Sequence, residues 1–316
     1  MRKIFKLFVC ALFMFTCANA FAAKKSIVCV TYPEYDWVLN ILGKKASSFN
    51  VTLLQDNGTD LHSYQPSVKD VAKISTCDML VFVGGESDEW VEKAISNAKN
   101  KNMLVVNMLE SLGDRVREEE VVEGMQAEEE EEEGEEEVEY DEHVWLSIKN
   151  AIFIVNALCE NIQKLDSANA ALYKSNAESY VKQLSLLDAD YEKAVAAATK
   201  KTLLFADRFP FRYLTEDYGL SYYAAFVGCS AESEASFETV IFLAKKLDEL
   251  ALNVVLTIEK NDKKIAKTLI SNTKAKNQQI LEMDSLQSVT KKEIKAGRTY
   301  LSAMKKNLEV LKQALK

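Results

Sequence analysis

Histidine is nearly missing from this chain: His62 and His143 are the only two in 316 residues. No HExxH pair can be formed from them, which excludes a helix-borne metalloprotease centre with its general base. Six cysteines occur, and the four beyond residue 23 are Cys29, Cys77, Cys159 and Cys229. They show no CxxC spacing, so zinc-ribbon and thioredoxin-type sites are excluded. Cys29 lies in the apolar run SIVCVTY and Cys159 on an apolar helix face, and both read as small buried hydrophobes. Beyond the N-terminal segment no apolar run is long enough to span a bilayer. Between residues 147 and 200 there is neither proline nor glycine, so nothing there interrupts a helix.

What is present in excess is acid, in one place. Residues 118–142 hold fifteen Glu and one Asp with no Lys or Arg; set against a chain total of −9, that leaves the rest at +7. Such a run repels phosphate, and nucleic acid is not an expected partner. It has no apolar period and reads as a mobile loop, ending directly at His143. A scarce imidazole at the mouth of a carboxylate run points to divalent cation chemistry, while a plain solvated loop is the bland alternative. A hydrophobic content of 48% supports real cores, and the length suits two domains. Residues 1–23 read as an export signal, with Arg2, Lys3 and Lys6 before a short apolar stretch. Cleavage after Ala20 or Ala23 leaves a soluble exported chain; cleavage before Cys17 leaves a lipid-modified cysteine. Thr16 is bulky for a lipoprotein site, which favours the first.

From residue 26 onward strands alternate with helices. Strands are expected at 26–32, 51–55, 79–84 and 103–107, with helices at 34–42, 67–75 and 88–98 between them. This alternation predicts βα units on a parallel sheet, whose ligands lie beyond the strand C-termini. Ile148, Ile152, Ile154, Val155 and Leu158 form one amphipathic stripe. Leu172, Tyr173, Tyr180, Leu184, Leu187 and Tyr191 form a second, on a helix long enough to act as a strut. The alternation then resumes, with strands at 202–206, 222–226, 254–258 and 278–283. Helices are expected at 211–218, 237–250, 263–271 and 293–315. The expected fold is α/β: an N-terminal lobe at 24–165 carrying the acidic loop 118–142, a linker helix at 166–198, and a C-terminal lobe at 199–316. Both lobes have parallel sheets, and a ligand cleft lies between them.

Four segments carry a resemblance to a known family. They are DLHSYQPSVKDVAKI (60–74), DEHVWLSIKNAIFIVNAL (141–158), RFPFRYLTEDYGL (208–220) and ILEMDSLQS (280–288). In order, they resemble the ligand segments of the metal-binding solute receptors of ABC importers, in the zinc and manganese cluster. GCSAESEAS (228–236) and VLTIEK (255–260) resemble cleft-lining segments of the same family, so the likeness covers nearly all of the exported chain. It implies His62 and His143 as imidazole ligands and Asp284 as the carboxylate; Asp284 also reads as a helix N-cap before Leu286. The third ligand position falls on Arg208, which departs from the pattern because a guanidinium has no free lone pair. Asp207 next door is the first substitute, with a salt bridge to Arg208 or Arg212 as its bland reading. Cys229 is the second, with a buried thiol as its bland reading; as a thiolate it would favour zinc. Arg208 would then hold a cleft carboxylate, Glu234 or Glu259.

What the resemblance implies is an exported receptor, periplasmic or at the cell surface. It is expected to be a monomer and not an enzyme, capturing Zn2+ (or Mn2+) for a membrane permease. Zinc-specific members often carry a His- and acid-rich loop before the second ligand; here the loop is present without its histidines. An adhesin or metal buffer on the same fold is the alternative, and a metallohydrolase a more distant one.

Overall fold

The computed structural model describes residues 24–126, 139–230 and 234–316. The export signal with Cys17, and residues 127–138 of the acidic run, lie outside these. The elements follow in chain order. The first half comprises β1 Lys25–Cys29, α1 Tyr32–Leu42, β2 Phe49–Leu53, α2 Val68–Thr76, β3 Met79–Phe82, α3 Glu89–Ser96, β4 Leu104–Asn107 and α4 Met108–Leu112. Two long helices follow, α5 Ile148–Leu165 and α6 Ala170–Ala197. The second half comprises β5 Thr202–Arg208, α7 Arg212–Tyr218, β6 Ser221–Phe226, α8 Phe237–Glu249, β7 Val254–Ile258, α9 Lys264–Ser271, β8 Gln279–Met283, α10 Lys291–Lys295 and α11 Tyr300–Ala314.

All strand pairs are parallel, in two four-stranded sheets ordered β2-β1-β3-β4 and β6-β5-β7-β8. The two halves therefore repeat one topology. Helices cover both faces of each sheet, which is why the strands read as unbroken apolar runs. Alternation sorts them: Ile27 and Cys29 enter the central core, while Val28 and Val30 enter an outer one with Ile74 and Val91. In the second sheet Leu203 and Phe205 face the centre, and Leu204 and Ala206 face α8 and α9. The central core runs without a break from the first sheet through α1, α5, α6 and α11 into the second.

Helix boundaries follow local chemistry. Pro33 in the first turn and a Thr31–Glu34 capping box start α1, since the missing proline N–H costs nothing there. Ser67 and Asp70 do the same for α2. α6 spans 28 residues, about 42 Å at the usual rise, and packs on α5, α1 and α11.

Two expectations change. The closing helix expected at 293–315 is two helices, broken at Gly297 with φ +90 and restarted by a Thr299–Ser302 capping box. A left-handed residue cannot continue an α-helix. The flanks of the acidic run are not a free loop. Gln126 N–H donates to Ala225 O at 2.9 Å, and Glu119 N–H to Glu139 O at 2.9 Å. Arg117 pairs with Glu216, Arg212 with Glu120, and Lys246 with Glu123. Residues 117–126 thus form a strap across β6 and α8, because the basic remainder of the chain offers partners that composition alone does not locate.

Candidate metal centre

The centre is built from three loops, two of them directly after strands β2 and β6. After β2, the tight turn Leu61–Ser63 is capped by Asp60, whose Oδ1 accepts from His62 N–H at 3.1 Å. At the end of the acidic run, Asp141 Oδ1 accepts from His143 N–H at 2.8 Å and faces His143 Nδ1 at 2.9 Å. That double bond fixes both the turn and the ring. After β6, Cys229 N–H donates to Glu119 Oε1 at 3.0 Å. Gly228, just before it, is needed for close approach: a Cβ there would stand 3.0 Å from both His143 Cε1 and Phe209 O.

His62 and His143 meet with their Nε2 atoms 3.1 Å apart. Both Nδ1 atoms are occupied on the far side, His143 by Asp141 and His62 by Ser87 Oγ at 2.8 Å. Glu142 Oε2 stands 3.7 Å from His62 Nδ1 and has no other partner. Two imidazoles held from Nδ1 present converging Nε2 lone pairs, the arrangement in which an outer carboxylate orients a metal-binding histidine. Two zinc–nitrogen bonds of about 2.0–2.1 Å at a tetrahedral angle place their nitrogens roughly 3.3 Å apart, close to the separation seen. Burial and the neighbouring His143 push the His62 pKa down to about 3. Burial alone would also depress His143, but Asp141 outweighs it and its pKa is raised. Burial raises the Glu142 pKa to about 7, against the Ser87 hydrogen bonds.

One group of metal-capable side chains is formed among the described residues: His62, His143 and Cys229, with ligand atoms all within 4.8 Å of one another. Asp207 is not brought to it. Its Oδ1 accepts from Arg208 N–H and its Oδ2 from Ile258 N–H, both at 2.9 Å, so it ties β5 to β7 beside an irregularity in the β5–β6 register. Asp284 is not brought to it either. Its Oδ1 accepts from Leu286 N–H at 3.0 Å and its Oδ2 pairs with Arg298. It caps a turn around Leu286, whose φ is +63, and no helix starts there. Arg208 does not hold Glu234 or Glu259: its Nη2 donates to Asp60 Oδ2 at 2.7 Å, and Glu259 is taken by Ser285 and Ser288. Residues far apart in sequence compete for each carboxylate, and spacing does not show which wins.

Several site residues have no signal in composition. Gln287 is buried; with its amide nitrogen turned to Asp60, at 2.8 and 3.0 Å, its oxygen lies against His143 Nε2. It lies three residues after Asp284, inside a segment already singled out. Ser87, Asp141 and Glu142 hold the rings, and only Asp141 could be guessed, as a turn-former two residues before His143. Beside His62 the centre opens into a cavity of about 720 Å3 lined by Asp60, Arg208, Glu259 and Lys260 among others.

Twin parallel sheets of one order, bridged by a long helix, with two imidazoles converging at Nε2, make up a two-lobed α/β fold with a metal-capable centre. Residues 27–314 match the family model ZnuA, described as zinc-uptake complex component A, periplasmic, and the chain belongs to that family. It is 31% identical over 319 residues to the zinc-binding lipoprotein AdcA of Streptococcus pneumoniae, covering 99% of this chain and 61% of that protein. The chain thus spans about three-fifths of that relative. Against the high-affinity zinc uptake system protein ZnuA of Bacillus subtilis, identity is 28% over 323 residues, covering 99% of this chain and 97% of the other. The crystal structure of the Zn(II)-bound ZnuA-like domain of the pneumococcal AdcA superposes with a TM-score of 0.72 at 28% identity, covering 92% of this chain and 99% of that one. The metal-dependent lipoprotein YcdH of Bacillus subtilis gives 0.75 at 27% identity, with 92% and 99% covered.

Proposed function

We propose that this chain is an exported receptor that captures Zn2+ between its two lobes and delivers it to an ABC permease, without itself catalysing a reaction. The observation that carries the reading is the convergence of His62 and His143 through Nε2, each ring anchored at Nδ1 by a separate partner. The lobes are residues 24–165 and 199–316, with 166–198 as the helix between them. Cys229 is the third ligand this reading prefers, ahead of Asp207 and Asp284, because the other two carboxylates are already occupied. The printed names of the relatives support zinc as the cargo, and the family description supports a location outside the cytoplasm. No helix among the described residues is long and apolar enough to cross a membrane.

In this reading the residues act in sequence. Asp141 holds His143 with its proton on Nδ1, leaving Nε2 free to bind. Ser87 does the same for His62, with Glu142 behind it. The cation replaces the short Nε2–Nε2 contact, so no large movement is needed to form the site. His62→Ala and His143→Ala should each weaken Zn2+ binding at least about a hundredfold, more than the loss of an outer partner. The far-ultraviolet circular dichroism of both variants should stay native. Tight zinc binding by the double variant in calorimetry would overturn the assignment.

A further inference from the structure

Each carboxylate around the imidazole pair uses at least one oxygen as a support. Asp141 is bonded to His143, and Glu142 Oε1 accepts from Ser87 N–H at 2.8 Å. Asp60 holds His62 N–H and Arg208, and Glu119 holds Cys229 N–H. Farther out, Asp207, Asp284 and Glu259 bind backbone N–H groups. A hard cation entering here would find one unpaired carboxylate oxygen, Glu142 Oε2, and that lies on the Nδ1 side of His62. What faces the two Nε2 atoms is a sulfur, Cys229 Sγ, and a neutral oxygen on Gln287.

Resting on the zinc-receptor reading, we propose that this is a thiolate centre. Cys229 Sγ completes a His62–His143–Cys229 set, and the Gln287 carboxamide oxygen is a weak fourth donor. The cargo class is therefore thiophilic cations, Zn2+ and Cu+, with Mn2+ rejected. Ligand softness supports this. Thiolate with imidazole suits zinc and copper, whereas Mn2+ needs carboxylate or water oxygen and stands lowest in the divalent affinity order. Two imidazoles and one thiolate in a trigonal set, with a distant amide oxygen on the axis, is a recurrent copper geometry.

Charge points the same way. The Arg208–Asp60 pair is internally neutral, so Cu+ with one thiolate adds no net charge to a buried place. Zn2+ leaves a single positive charge, which Asp141 faces through His143. Arg208 occupies the place where the resemblance puts a third ligand and supplies none, so the sulfur carries the anionic share. The ligand atoms already stand within 4.8 Å, and a zinc–sulfur bond of about 2.3 Å requires only that the Cys229 loop draw inward.

The test uses the full chain, stripped of metal and kept reduced under anaerobic conditions. The Co2+ derivative should show a thiolate-to-cobalt charge-transfer band in the near ultraviolet, a readout that needs no variant. Cu+ supplied from a chromophoric chelator should displace Zn2+ one for one. Mn2+ should bind at least about a thousandfold more weakly than Zn2+. Cys229→Ser should lower both Zn2+ and Cu+ affinity by at least about a hundredfold, remove the cobalt band and leave Mn2+ unchanged. Absence of the band, failure of Cu+ to compete, or Mn2+ binding within tenfold of Zn2+ would each overturn the thiolate proposal while leaving the receptor reading intact. Loss of zinc binding by the unaltered chain would instead remove the reading on which it rests.

Discussion

Burial pushes the pKa of Asp36 and Asp88 up to about 6 and that of Glu142 to about 7. A carboxylate whose folded pKa is raised binds protons more tightly in the native state. Its contribution to stability is complete below the unfolded value near 4 and disappears as pH rises through 6 to 7. His62, depressed to about 3, opposes this between pH 3 and 6.5, but burial also raises Glu34, Asp207, Asp217 and Glu259 in the same direction as the first three. Metal-free protein should therefore melt higher at pH 5 than at pH 8 in calorimetry. Asp88 uses Oδ2 to accept from Val83 and Gly84 N–H, and its Oδ1 has no partner. Asp88→Asn should flatten part of the slope; an unchanged slope would remove Asp88 from the account. Asp207 gives a second prediction at this scale. Replacing it with Ala strands two backbone N–H groups and should cost about 2–4 kcal/mol by denaturant unfolding. Zinc affinity should stay within about threefold. A hundredfold loss of affinity would return Asp207 to the ligand set.

At the scale of elements, the strap 117–126 brings Glu119 to Cys229. Its surface ion pairs are exposed and each contributes under about 1 kcal/mol. The packing at its tip is stronger: Met125 is buried, and Gly124 lies at φ +81 with its Cα against the Phe242 ring, where a Cβ would clash at 1.9 Å. Gly124→Ala should therefore lift the strap, lowering stability by about 1–3 kcal/mol and increasing protease cutting near residues 117–126. Arg117→Ala should do little. Equal effects from the two would mean that the ion pairs hold the strap. Removal of the acidic run is consequently best confined to residues 127–138. A deletion from residue 118 would also take the Cys229 anchor.

At the scale of the whole molecule, the two halves are bound by more than α6. Trp145 Nε1 donates to Ser285 O at 2.8 Å and Tyr300 OH to Trp145 O at 2.6 Å. On the other side Asn57 bridges Thr290, and Lys291 N–H donates to Asp56 O at 2.8 Å. With one core shared across both sheets, a wide hinge would expose apolar surface at about 25 cal/mol per Å2. Zinc should then change the radius of gyration in X-ray scattering by less than about 1 Å, the scale of a shear rather than a hinge. A larger compaction would show the core to be divided. Zinc at a hundred times its dissociation constant should add about 2.7 kcal/mol of stability, seen as a rise of several degrees in melting temperature that a chelator reverses.

Alternating apolar runs, proline and glycine positions and capping residues were enough to place the eight strands within about three residues, because sheet and helix periodicity are local properties. The two histidines stood out by their scarcity and by the resemblance of their flanking segments, and the fold brings their Nε2 atoms to 3.1 Å. Gln279–Met283 and Tyr300–Ala314 were legible in type, but the break at Gly297 was not, since a lone glycine inside an apolar period is ambiguous without its φ. The partners of each carboxylate were decided only by tertiary structure. Asp207 and Asp284 have the right chemistry for a ligand, yet backbone N–H groups and Arg298 reach them first. Cys229 was the second candidate for the third ligand and Gln287 was not a candidate; both arrive beside His143 because β6 and β8 end at the same cleft. Ligand sets are long-range coincidences of loop ends, and a one-dimensional pattern carries no record of which ends meet.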